Sequence, residues 1–240
     1  MSTITKLSSF VVVAFFFVSL FSSCEKAEAT IDPISESEAA EIIETNLQSN
    51  AGGIVTNLED LTAQFVSAVA SGELCDTLYT ATSGQDFQGA QFQASYTSEL
   101  SYEMDCNAVS VPQTATFSTS TLSMYSSSRI VSDDDGSFAG DITGLQPSST
   151  TMNVSGEYSR TGSQELNFRE QKDINSTLAI NLSELEIRKQ GFEIESGNGT
   201  LALTGSTADE TFSFAGNIIF NGSKTATITI NGTPYDIDWN

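Results

Sequence analysis

The chain has 240 residues, with 31 acidic against 9 basic side chains, a net charge of −22 and no histidine. Nucleic-acid binding depends on Lys and Arg neutralising phosphates, so a chain this acidic is excluded as a nucleic-acid partner. The missing imidazole removes histidine-based serine and cysteine triads, histidine general bases and nearly all zinc sites.

Lys6 is the only charge before an apolar run from Phe10 to Phe21. Twelve residues of helix reach about 18 Å, well short of the roughly 30 Å of hydrocarbon that a permanent span crosses. Residues 1–23 are therefore expected to be a cleaved signal peptide. The segment Leu20-Phe21-Ser22-Ser23-Cys24 resembles a lipobox, with Phe21 standing where that pattern prefers leucine. The resemblance implies cleavage before Cys24 and a diacylglyceryl group on its thiol, so that the protein meets the membrane through lipid on Cys24. At about 0.8 kcal/mol per buried CH₂, several acyl chains hold such a protein almost permanently. No other run of about 18 apolar residues occurs, and the acidic surface disfavours docking on anionic head groups.

Residues 24–34 read as a lipidated tether, and 35–74 as a helical segment. Ser35-Glu36-Ser37-Glu38 fits a capping box, and Ala39, Ile42, Ile43 and Leu47 follow at helical spacing. Asn50-Ala51-Gly52-Gly53 breaks the period, and Ile54, Leu58, Leu61, Phe65 and Val69 resume it up to Gly72. Two amphipathic helices are expected, over 35–48 and 54–71.

From Cys75 to residue 240 the period becomes two, which marks an antiparallel β domain. The clearest stretch is Phe92 to Cys106, with Phe92, Ala94, Tyr96, Leu100, Tyr102 and Met104 on one face and Gln93, Glu99 and Glu103 on the other. Shorter alternations continue to the end, closing with Ala226 to Ile230 and Tyr235 to Trp239 around Asn231-Gly232, a strong hairpin signal that Asn221-Gly222 repeats. Parity slips between Phe117 and Leu122 predict a bulge there. Ser132-Asp133-Asp134-Asp135-Gly136-Ser137 carries two of the oxygen ligands of an EF-hand loop but ends on glycine where a glutamate is needed, and reads as an exposed hairpin turn. Gly197-Asn198-Gly199 matches a loose dinucleotide fingerprint without the helix that must follow it, and reads as a turn.

Ten or eleven strands in succession without intervening helices imply a mainly β fold. We expect an antiparallel meander, forming either a curved sheet or incomplete barrel or a sandwich, with the two N-terminal helices packed on the sheet. With Cys24 assigned to lipid in an exported chain, Cys75 and Cys106 form an even pair suited to a disulfide. Asp76-Thr77-Leu78 is similar to the tripeptide at which Bacteroidota attach O-glycans, which makes Thr77 a candidate for glycosylation.

The serine-pair lipobox, Glu25-Lys26-Ala27-Glu28, the segment Glu38-Ala-Ala-Glu-Ile-Ile and the strand-rich remainder together resemble uncharacterised Bacteroidota lipoproteins of the outer membrane. In that phylum acidic residues soon after the lipidated cysteine resemble a surface-export signal, and the surface and periplasmic faces both stay open. No residue pattern selects a catalytic pair, a metal or a cofactor. The leading expectation is a non-enzymatic, lipid-anchored envelope protein with a structural or binding role, whose partner would be another envelope protein. An alternative is a carrier of an apolar ligand or lipid, with Phe92, Tyr96 and Leu100 lining a dry cavity under the helices. A weaker alternative is a surface glycan-binding domain using Trp239 and the Tyr and Phe stripes.

Overall fold

The computed structural model describes residues 33–48, 51–169 and 172–239. The expected signal peptide, Cys24 and nearly all of the expected tether lie outside them. Helix α1 spans Glu36–Leu47 and α2 spans Ile54–Ser71. The expected capping box opens α1: the Glu38 amide donates to Ser35 Oγ at 3.4 Å and the Ser35 amide donates to Glu38 Oε2 at 2.7 Å. Two of the amides left free at a helix start are thereby satisfied. Helix α2 ends at Gly72, whose φ of +71° lets its amide turn back onto the last carbonyls. The loop between the helices sits down on the sheet at Gly52, where φ is +65° and a Cβ would lie 2.6 Å from that of Tyr96. Only glycine meets both conditions.

Ten strands follow: β1 Leu78–Gln88, β2 Phe92–Cys106, β3 Pro112–Ser127, β4 Ile130–Thr143, β5 Thr151–Leu166, β6 Lys172–Arg188, β7 Ile194–Ser206, β8 Thr211–Gly222, β9 Thr225–Ile230 and β10 Thr233–Asp238. Each pairs antiparallel with its neighbours in sequence, giving one sheet in the order β1 to β10. The meander is as expected, and the sandwich alternative is not formed. A single sheet buries its apolar face against the helices: Ile42, Ile43, Leu58, Leu61 and Phe65 share one core with Tyr102, Phe138, Tyr158, Leu178, Leu203 and Ile228. Phe65 meets Tyr102 edge-on at 5.0 Å, and Phe117 meets Phe138 at 4.9 Å. Each such side chain, fully buried, stabilises the fold by about 1.5–3 kcal/mol.

The sheet curls strongly. Seven strand spacings separate β3 from β10, about 34 Å in a flat sheet. Yet Tyr125 and Ser127 of β3 and Tyr235 and Ile237 of β10 line the same 430 Å³ cleft beside α1. Helix α1 ties the same region together: Glu36 accepts from Asn231 and Thr233 at the β9–β10 turn, and Glu41 accepts from Arg129 at the β3–β4 turn. The edge strands β1 and β10 are not paired with each other, so the result is an incomplete barrel with both helices on its inner side.

Four local expectations are corrected. First, Ser132–Ser137 is not a turn but the middle of β4, with Asp133 and Asp135 facing outward and Asp134 inward. Second, no bulge lies between Phe117 and Leu122, where the register with β2 and β4 is continuous. Thr119, Thr121 and Ser123 take inner positions, and Leu122 and Met124 face solvent. The shifts in register fall elsewhere, notably between Ser183 and Glu186, where Glu184 has a φ of +51°. Third, the β8–β9 turn is Ser223-Lys224, both at positive φ, with Asn221-Gly222 ending β8 just before it. Fourth, Gly197-Asn198-Gly199 belongs to β7, and a Cβ on Gly197 would strike Leu185 at the β6 bulge.

Candidate functional site

Cys75 and Cys106 are joined in a disulfide, with Cα atoms 5.8 Å apart. It clips the segment leading into β1 onto the end of β2, and the Asp76 amide donates to Met104 O beside it. Thr77 follows at once. Its hydroxyl donates to Cys75 O at 3.2 Å and its side chain is half-buried, in a bend where Asp76 has a φ of +54°.

Tyr96 and Leu100 lie beneath α2, as the carrier alternative requires, but helix fills the space above them. Tyr96 donates to Asp60 Oδ2 at 3.3 Å, and that carboxylate also accepts from Ser83 at 2.6 Å. Burial, and then Asp60, push the Tyr96 phenol up. Tyr102 donates to Glu73 Oε2 at 2.5 Å and accepts from Gln64 Nε2 at 3.0 Å, and its pKa is pushed up to about 12 by burial first and Glu73 second. The pocket between α2 and strands β1 to β3 measures about 40 Å³, little more than one water occupies in the liquid.

A buried polar belt crosses the inner face from β2 to β6. At one end Asn57 of α2 is its anchor. Asn57 Oδ1 accepts from Thr121 at 3.0 Å and Thr119 at 3.2 Å, and Nδ2 donates to Gly53 O at 2.9 Å. At the other end Asp134 Oδ2 accepts from Arg160 Nη2 at 2.9 Å, Asp134 Oδ1 accepts from Gln164 Nε2 at 2.8 Å, and Gln164 Oε1 accepts from Ser176 at 2.7 Å. Both charged side chains are 1% exposed. Gly162 makes the room: a Cβ there would stand 2.2 Å from Asp134 Oδ1. For Arg160, burial works against the charge, but the Tyr158 phenol and the Asp134 carboxylate outweigh it and the net shift is upward. Arg160 Nε and Nη1 and Ser132 Oγ have no partner of good geometry. The belt is enclosed, so its role is to fix register and to seat α2 rather than to meet a substrate.

Carboxylates gather beside aromatic rings at the barrel mouth. Glu41 and Glu44 of α1, and Gln48 at its C-terminal cap, face Tyr125, Arg129 and the end of β10 across clefts of about 430 and 640 Å³. Arg129 neutralises Glu41 through a two-pronged contact and stacks over Phe168 with its guanidinium 4.8 Å from the ring centre. That leaves Glu44 without a cation among the described residues. Burial first, then Asp238 and Glu41, raise its pKa above the usual 4.5. Trp239, which a sugar platform would need exposed, is instead buried edge-on against Phe220 at 6.0 Å. No group of three or more metal-ligating side chains occurs among the described residues.

Neither the belt nor the mouth stood out in the sequence. Both assemble residues far apart in the chain, and the only available signal was polar side chains at inner parity, such as Arg160 between Tyr158 and Gln164. No protein family, curated protein or solved structure matches the chain.

Proposed function

We propose that this chain is a lipid-anchored cell-envelope protein that acts by binding at its surface rather than by catalysis or by carrying cargo inside. The observation that carries this reading is the filled concave side, where two helices occupy the space an internal ligand would need. The leader and Cys24 supply the anchor, and the resemblance to Bacteroidota lipoproteins supports an outer-membrane location. The absence of histidine supports a non-enzymatic role, because the commonest acid, base and ligand chemistry is unavailable.

The test has two arms. Radiolabelled palmitate should enter the wild type and not Cys24→Ala, and equal labelling of the two removes the anchor. Organic extraction of purified Cys24→Ala protein, followed by mass spectrometry, should yield no stoichiometric apolar molecule. A bound lipid at one per chain would overturn the surface-binding reading in favour of the carrier.

A further inference from the structure

The outer face of the sheet carries a trough of about 680 Å³ that runs across the strands from β1 to β6. Five strand spacings make it about 24 Å long, the length of roughly seven residues of extended chain. Its volume lies within the roughly 300–1,000 Å³ typical of binding clefts. Asp86, Asp133, Glu165 and Asp173 line it, and no lysine or arginine does. Met124, 54% exposed, and Val131, 36% exposed, form an apolar strip within it.

The register places Met124 opposite Asp133, Val131 opposite Glu165, and Glu165 opposite Asp173. Two carboxylates directly opposed across a strand pair cost stability unless a cation lies between them. Met124 and Val131 leave apolar surface open within the same concavity, where an apolar side chain of a ligand can cover it. We infer that the trough is the docking site for an extended, basic segment of a partner protein. Its lysines or arginines would meet Asp86, Asp133, Glu165 and Asp173, and an apolar residue between them would cover Met124 and Val131. The charge of the trough excludes an anionic lipid surface as occupant, and its length exceeds that of a small cation.

This inference rests on the surface-binding reading and is tested apart from it. The full mature chain is titrated against a fluorescein-labelled twelve-residue peptide alternating lysine with threonine and valine, read by anisotropy at low salt. Binding should weaken about tenfold in the double variant Asp133→Asn/Glu165→Gln. The double variant Asp141→Asn/Glu157→Gln removes the same charge from the same face of the same strands, outside the trough, and should change affinity less than twofold. Relief of the Glu165–Asp173 opposition should also leave the trough variant at least as heat-stable as the wild type. Equal weakening by both variants, no binding by the wild type, or preference for a glutamate counterpart peptide would each overturn the trough assignment. None of these outcomes touches the palmitate and extraction results.

Discussion

Replacing Arg160 by methionine tests what the buried ion pair does. The substitution leaves Asp134, 1% exposed, with a single donor, Gln164 Nε2 at 2.8 Å. Breaking a buried pair from one side costs about 3–5 kcal/mol, because the remaining charge has neither partner nor water. In a domain of this size each kcal/mol moves Tm by about 2–4 °C, so Arg160→Met should melt about 6–20 °C below the wild type. The double variant Asp134→Leu/Arg160→Met removes both charges and also the two guanidinium nitrogens that have no partner. Its remaining penalty is one unpaired Gln164 amide, about 1–2 kcal/mol. The double should therefore be more stable than Arg160→Met alone, by about 2–3 kcal/mol in urea denaturation at 25 °C. Additivity of the two single substitutions to within about 0.5 kcal/mol would refute the pair as a coupled unit.

Asn57→Ala should cost about 2–4 kcal/mol by removing the acceptor that Thr119 and Thr121 share, Thr121 keeping Ser98 Oγ at 3.0 Å, and adding Thr119→Val should recover part of that loss in the same urea assay. Reducing the Cys75–Cys106 bond, or the double Cys→Ala variant, should lower stability by roughly 3–4 kcal/mol, since the bond closes a loop with a sequence separation of 31. Glu44→Gln should raise Tm at neutral pH and leave it unchanged near pH 4. The folded-state pKa of Glu44 is raised, so its contribution is fully present below the unfolded value and is lost as pH rises through the folded one. A Tm difference that grew toward acid pH would reverse that sign and with it the description of the mouth.

The elements that read correctly in the sequence are those whose cause is local. The capping box at Ser35 and Glu38, the αL stop at Gly72 and the Asn231-Gly232 hairpin each depend on residues a few positions apart. The misread segments depend on partners far away. Asp134 lies in an acidic, glycine-containing stretch that locally resembles a turn, and it is held in a strand by Arg160 and Gln164 on the next strand. Its neighbours Asp133 and Asp135 keep the solvent face, so one triplet of identical residues divides between core and surface.

The slip between Phe117 and Leu122 is the more instructive case, because two structures satisfy it. A bulge would turn the following residues over, whereas an inward row of hydroxyls keeps the register and exposes Leu122 and Met124. Phe117 and Tyr125 decide between them. They stand an even number of residues apart, so without any bulge both face the core, as they do. A single bulge would have driven one aromatic ring into water, at a cost of about 1.5–3 kcal/mol, whereas Asn57 satisfies the hydroxyls that the regular strand buries. The same regular strand delivers Met124 to the outer trough. The polar belt inside and the apolar strip outside are therefore two consequences of one register, and a substitution that forced a bulge into β3 should disturb both together.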